Sequence, residues 1–403
     1  MALTSVEDAT ARVLAGAARL GIETIAIADA AGRILAADVI ARRSQPPADM
    51  SAMDGYAVRG ADVAAAPARL TVIGESAAGR PFPGAVAAGE AVRIFTGAVM
   101  PQGSDTVVIQ EDTTRDGERV TIAAPAVAGR NVREAGGDFT IGQRGLSAGR
   151  RLTGRDVMLA AAMDHGSLAV ARRPRVAIIQ TGDELALPGR GTGAPGEIVV
   201  SNVYGLADVA RRAGAEVHDL GIVGDRMEAI RAVVAKALDG RYDVVVSSGG
   251  ASVGDHDLMA PALRAEGVDL HLHKIALRPG KPLMFGTKDA IRVLGLPGNP
   301  VSSQVCALLF LAPLLRTLQG EEAPGVHILP ARLAVDMPAN EARCHYMRAE
   351  LAYTSAGMMV TPCRSQDSAM LDILSAANCL LIRRPDAPAA RAGEPCEIVP
   401  FAD

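Results

Sequence analysis

The chain has 403 residues, 49% hydrophobic and 21% charged, with a formal net charge of −4; that composition excludes disorder and suggests two to four domains. A pI of about 6.0 removes any global basic footprint for nucleic acid, and 3% aromatics without Trp argue against base stacking. Five cysteines, odd in number and without CxxC spacing, read as free thiols rather than a disulfide frame, which points to a reducing cytoplasm.

In chain order, Ser5 caps a helix expected over 5–20, with Asp8 three residues on and Gly21 as the stop. Glu7 and Asp8 stand where a signal peptide would be basic, so none is expected. Over 42–138 the texture changes to short β-type runs at 70–73, 92–95 and 106–109, broken by Gly and Pro. Arg115-Asp116-Gly117-Glu118 suits a hairpin turn. Thr153 and Asp156 then open a helix expected to reach His165.

From Arg175 to about Gln319 apolar strands alternate with helices, which predicts a parallel sheet covered on both faces. Ser201 and Asn202 open one helix that Gly214 closes, Asp225 caps a second, and the stretch after Pro300 forms a third. Its apolar run 305–315 contains Pro313 and is too short to span a bilayer, so no membrane segment is expected. Residues 321–325 read as a linker, and 326–403 are again β-rich. The expected fold class is multidomain: a doubly wound α/β domain, a β-rich insertion and a C-terminal β domain.

The most informative residues are three Gly-rich loops that each follow an apolar run. Ile178-Ile179 leads into Gln180-Thr181-Gly182-Asp183-Glu184, and Val245-Val246 into Ser247-Ser248-Gly249-Gly250-Ala251-Ser252-Val253-Gly254-Asp255-His256-Asp257. Val293-Leu294 leads into Gly295-Leu296-Pro297-Gly298-Asn299-Pro300. Such loops let backbone N–H groups converge on an anion beyond the strand ends. Two of them carry carboxylates, which would repel a phosphate about 4 Å away by roughly 1 kcal/mol in water and more in a cleft. Asp255 and Asp257 could simply cap a helix, but with Asp183 and Glu184 they favour a bridging divalent cation. Lys274, Arg278 and Lys281 cluster around a proline-stiffened turn and suit phosphate clamping. His271 and His273 share one face of a strand and, lacking a third ligand, read as structural or exposed. The Gly189, Gly191 and Gly193 spacing does not fit a dinucleotide fingerprint.

Six segments together resemble the molybdopterin molybdenumtransferase family, which includes MoeA and the E domain of gephyrin. They are Ser51-Ala52-Met53-Asp54-Gly55-Tyr56-Ala57, Ile94-Phe95-Thr96-Gly97-Ala98, Thr181-Gly182-Asp183-Glu184-Leu185, the 247–257 loop, Arg278-Pro279-Gly280-Lys281-Pro282 and the 295–302 segment. The resemblance runs from about Ala26 to the C-terminus. It implies four domains: a discontinuous one over 1–41 and 139–170, a β-rich insertion over 42–138, an α/β molybdopterin-binding domain over 171–320, and a C-terminal β domain over 325–403. It also implies a homodimer.

The implied reaction inserts molybdate into adenylylated molybdopterin with release of AMP, helped by Mg2+. The resemblance assigns catalytic positions to Asp54, Thr96, Asp138, Glu184, Asp225 and Asp257, with Glu184, Asp225 and Asp257 on the metal. Ligand-binding positions fall on Thr181, Gly182, Ser248, Gly249, Gly250, Ser252, Pro297, Gly298 and Asn299 in the loops. Lys274, Arg278 and Lys281 match basic positions for the anionic cofactor or molybdate, and Arg348 and Ser368 match positions in the C-terminal domain. Arg278 stands where relatives often carry lysine. The expected partners are a second copy, a molybdopterin adenylyltransferase and molybdoenzyme-specific chaperones, with no nucleic acid and no membrane. The β insertion and the C-terminal domain argue against an adenylyltransferase itself. The alternatives are a tungstate-inserting variant and a non-catalytic carrier or scaffold.

Overall fold

The computed structural model describes residues 3–249, 258–355 and 357–401. They pack as two compact units, one of Thr24–Ala31 and Ala37–Ala169, the other of Met1–Glu23, Gly32–Ala36 and Val170–Asp403.

The smaller unit is built on a six-stranded sheet in the order Thr106–Ile109, Gly55–Val58, Glu90–Ile94, Ala68–Ser76, Arg119–Ile122, Thr113–Asp116. All neighbours are antiparallel except Ala68–Ser76 with Glu90–Ile94. The last two strands are the hairpin expected at Gly117, whose φ of 60° lets the chain reverse. Tyr56, Val58, Leu70, Val108, Val120 and Ile122 form its core. Gly55 is set by sterics, because a Cβ there would sit 1.9 Å from the Val108 carbonyl oxygen of the neighbouring strand. The helix Gly154–Ala162 starts with the Thr153/Asp156 capping box. It stops at Ala162, three residues short of the expected end, and Asp164 follows with a φ of 72°.

In the larger unit, four parallel strands run Glu216–Val223, Arg175–Thr181, Val244–Ser248, Ile291–Leu296. Alternation sorts their side chains to two faces. Val176 and Ile178 pack with Val203 and Leu206 of the helix Asn202–Arg212 and with Val305 and Leu309. Ala177 and Ile179 pack with Ile230 and Val234 of Met227–Asp239 and with Leu263 of Met259–Ala265. The sheet is therefore doubly wound, but it is mixed rather than wholly parallel. Pro282–Lys288 and Asp269–Lys274 extend it antiparallel. Only two residues separate Pro282–Lys288 from Ile291–Leu296, enough for a hairpin and far too few for a parallel crossover.

Three further helix expectations need correcting. The first helix is Val6–Leu14, with Asp8 N–H donating to the Ser5 hydroxyl at 3.0 Å. It ends at Gly16, whose φ is 65°, and not near Gly21. Met227–Asp239 has Arg226, not Asp225, at its N-cap, without a side-chain cap. The helical run Pro300–Leu318 passes through Pro313, because Ala307–Leu311 widens into a π turn just before it. That run is long and apolar enough to cross a membrane by length and composition, yet it is 78% buried within the protein.

Beyond it, Cys344–Thr354, Gly357–Pro362, Leu329–Leu333, Pro395–Pro400 and Cys379–Arg383 pair in that order, and the last returns to the first to close a small barrel. Leu277–Arg278 adds to it alongside Cys344–Thr354.

Candidate active site

The three Gly-rich loops all leave the carboxyl ends of parallel strands, and one side chain joins two of them. The Asn202 amide donates to the Ser248 hydroxyl at 2.9 Å and to the Gly298 carbonyl at 2.8 Å. Gly249 is forced by close approach: its φ is 93°, and a Cβ there would lie 2.7 Å from the Thr181 carbonyl oxygen. Thr181, Gly182, Ser248, Gly249, Pro297 and Gly298 are thereby gathered at one end of the sheet. The backbone N–H groups of Gly182 and Gly249 are already used, donating to the Val223 carbonyl at 3.2 Å and the Leu296 carbonyl at 3.3 Å. Anion binding by those two amides is therefore not what the glycines serve. Gly250, Ser252 and Asp257, with Asp255, lie outside the described residues.

Two acidic loops flank this cluster. Asp183 accepts the Asp225 N–H at 3.0 Å, so its carboxylate holds the neighbouring loop in place. Glu184 and Asp225 are exposed, and the Glu184 carboxylate folds back over Gly182. Among the described residues no three His, Cys, Asp or Glu side chains form a metal-ligating group. The oxygen donors Glu184 and Asp225 do fit Mg2+, which takes one or two carboxylates and completes its shell with water and substrate phosphates.

The basic loop is tied down at its ends, with Ile275 N–H donating to the Lys281 carbonyl at 3.0 Å. Lys274 and Lys281 are exposed, whereas Arg278 pairs with Glu341 at 3.5 Å. Arg278 also lies beside His345 in the strand register. Asn299 sits at the N-cap of its helix without a side-chain capping bond; its amide donates instead to the Ser368 hydroxyl at 2.9 Å, and Val301 N–H donates to the Ser368 carbonyl at 3.1 Å. The 363–370 segment is held in turn by Arg348. Its guanidinium donates to the Met370 carbonyl at 3.1 Å, and its backbone exchanges hydrogen bonds with the Gln366 amide at 2.9 Å each way. Arg348 is only 1% exposed. In this structure it supports the loop that carries Ser368, rather than presenting a charge to solvent.

In the smaller unit Asp54 and Thr96 are in direct contact. One Asp54 oxygen accepts from the Thr96 N–H at 2.7 Å and from its hydroxyl at 2.8 Å. The backbone donor first and the hydroxyl second hold the Asp54 carboxyl below its ordinary range. Arg93 stacks on Phe95 and Tyr56 nearby and donates to the Gly55 carbonyl at 3.1 Å. Asp138 is exposed, and its backbone N–H donates to the Gln45 carbonyl at 2.9 Å. No described contact joins it to Asp54 or Thr96.

Sequence reasoning missed Asn202 as a site residue, along with Gln366 and His345. Burial, followed by the charges of Arg278, Arg343 and Arg348, pushes the His345 imidazole down to about 4, so it is neutral at pH 7. A helix-opening Asn carries no mark of its second role. A lone His or Gln in a strand-rich region gives no periodic signal at all.

Three family models cover most of the chain: the MoeA N-terminal region (domain I and II) over 4–163, a probable molybdopterin binding domain over 177–317, and the MoeA C-terminal region (domain IV) over 330–401. A molybdopterin molybdenumtransferase of Nostoc is 42% identical over 72% of this chain and 67% of its own. The Haemophilus influenzae molybdopterin molybdenumtransferase is 33% identical over 94% of both chains. The crystal structure of a molybdopterin biosynthesis MoeA protein from Pyrococcus horikoshii superposes with a TM-score of 0.84 at 32% identity, covering 100% of both chains. The motifs, the doubly wound domain flanked by β-rich ones, and relatives aligned over nearly the full length agree: the chain belongs to the molybdopterin molybdenumtransferase family.

Proposed function

We propose that this protein takes adenylylated molybdopterin and molybdate, cleaves the phosphoanhydride, seats molybdenum at the dithiolene and releases AMP. The observation that carries this reading is the strand-end cluster in which Asn202 ties the Ser248 and Gly298 loops together, with exposed Glu184 and Asp225 beside it. That combination suits a phosphorylated ligand at the carboxyl ends of parallel strands. Lys274 and Lys281 supply mobile positive charge for an anion, and Arg278 adds a planar fork once it exchanges Glu341 for substrate. Asn299 fixes the Ser368 hydroxyl as a further donor. Asp54, kept ionised by Thr96, is the candidate proton acceptor, and Asp138 is a further carboxylate of the same unit.

Glu184, Asp225 and Asp257 are proposed to hold Mg2+. When bound, that ion supplies charge neutralisation at the phosphoanhydride oxygens. The protein is proposed to act in the cytoplasm as a homodimer, receiving substrate from a molybdopterin adenylyltransferase and passing product to molybdoenzyme-specific chaperones.

The test is anaerobic AMP release from adenylylated molybdopterin with Mg2+, with and without molybdate. Molybdate-dependent release supports the reading. Release that responds only to tungstate makes it a tungstate-inserting variant, and no release from a folded protein that binds the substrate makes it a carrier.

A further inference from the structure

A cavity of about 550 Å3 opens between the first helix and the antiparallel edge of the mixed sheet, lined by Arg12, His271, Phe285, Thr287, Asp289 and Arg292. It lies at the opposite end of the sheet from the glycine-rich loops. Arg292 is the second residue of Ile291–Leu296 and pairs in register with Val244 and Thr287. It is four residues, about 13 Å, from the strand end that carries Pro297.

Arg292 is 8% exposed and donates through one guanidinium nitrogen to the Ala15 carbonyl at 2.9 Å, at the end of the first helix. That carbonyl and the helix dipole offset part of the cost of burying a cation. Among the described residues no carboxylate pairs with Arg292 or with the exposed Arg12. Arg292 itself lines the cavity. Burial alone lowers the Arg292 pKa, consistent with an uncompensated charge. Across the cavity, a His271 ring nitrogen lies 3.4 Å from the Thr287 hydroxyl and 3.5 Å from Asp269 at the rim.

The lining therefore holds two guanidinium groups, an imidazole and a hydroxyl against one lining carboxylate, Asp289. Two guanidinium groups lining one cavity suit an oxyanion with three free oxygens. The lone carboxylate, Asp289, favours a ligand that carries a donor, such as a hydroxyl, beside its phosphate. We propose that this cavity is a second binding site, separate from the strand-end loops, for a small hydroxylated phosphate monoester whose phosphate sits between Arg12 and Arg292.

Calorimetric titration of the full chain with glycerol 3-phosphate, and separately with inorganic phosphate, tests this. Arg292→Leu removes a helix contact and could unfold the protein, so Arg12→Ala and Asp289→Asn are the informative variants. The expected result is saturable glycerol 3-phosphate binding that weakens at least about tenfold in Arg12→Ala and persists in Lys281→Ala. Asp289→Asn should narrow the preference for the ester over inorganic phosphate. Absence of saturable binding, equal affinity in Arg12→Ala, loss of binding in Lys281→Ala, or a preference unmoved by Asp289→Asn would each overturn the proposal.

Discussion

The Asn202 side chain donates to the Ser248 hydroxyl at 2.9 Å while its second N–H reaches the Gly298 carbonyl at 2.8 Å. One amide thus fixes two strand-end loops whose anchors are 46 and 96 residues away in sequence. Asn202→Ala leaves both acceptors without this donor and should cost about 1–3 kcal/mol of stability, together with weaker substrate binding. Asn202→Asp should be no better, because a carboxylate cannot donate to either oxygen. Urea unfolding and the KM for adenylylated molybdopterin check this; an Asn202→Ala protein with unchanged midpoint and KM refutes it.

Asp54 and Thr96 make a separable prediction about acidity. Asp54→Ala should abolish AMP release, a loss of about 100-fold or more, while the protein stays folded. Thr96→Val keeps the backbone N–H and removes the hydroxyl, the second of the two donors that lower the Asp54 pKa. Its carboxyl then titrates at higher pH, so the acid limb of the pH–activity profile should move up. A profile that coincides with wild type would remove the hydroxyl from this role.

What the chain discloses by itself depends on how local the cause is. The loops at Thr181, Ser248 and Pro297 are legible because apolar runs ending in Gly and Ser are a local pattern, and so is the capping box at Thr153 and Asp156. The antiparallel edge is less so. Alternating strands and helices suggest a wholly parallel sheet, and only the two-residue connection at Asp289 and Ala290 breaks the rule. Arg348 shows the harder case. As a basic residue at a family position it reads as a ligand contact, yet its 1% exposure and its bond to the Met370 carbonyl make it a support for the Ser368 loop. Burial depends on how the barrel closes, which no local pattern encodes.

His345 should shape the acid stability of the protein. Its imidazole is 6% exposed, and burial, then the neighbouring arginines, lowers its pKa from 6.5 to about 4. Between those values the unfolded chain binds the proton and the folded chain does not. Stability from this residue is therefore fully present above about pH 6.5 and is lost as pH falls toward 4. The loss amounts to about 3 kcal/mol at most. In His345→Leu that dependence should disappear, leaving a flatter fall in unfolding free energy from pH 7 to pH 4.5. An equally steep fall in the variant would mean other groups dominate.

Asp183 and Glu184 are adjacent carboxylates with different expected duties at the proposed Mg2+ site. Asp183 is committed to the Asp225 N–H at 3.0 Å, so it positions a donor, while exposed Glu184 is proposed as a donor itself. Chelation of divalent ions should stop AMP release, and restored Mg2+ should return it. Glu184→Gln should raise the Mg2+ concentration needed for half-maximal activity by at least about tenfold, since a neutral amide oxygen is a poor substitute for a carboxylate. Asp183→Asn keeps an oxygen that accepts the Asp225 N–H and should change that requirement little. Asp183→Ala frees the Asp225 loop and should raise it by about 10–100-fold, the usual effect of removing an orienting contact. If Asp183→Asn were as damaging as Asp183→Ala, the charge rather than the hydrogen bond would matter, and Asp183 would itself belong on the metal.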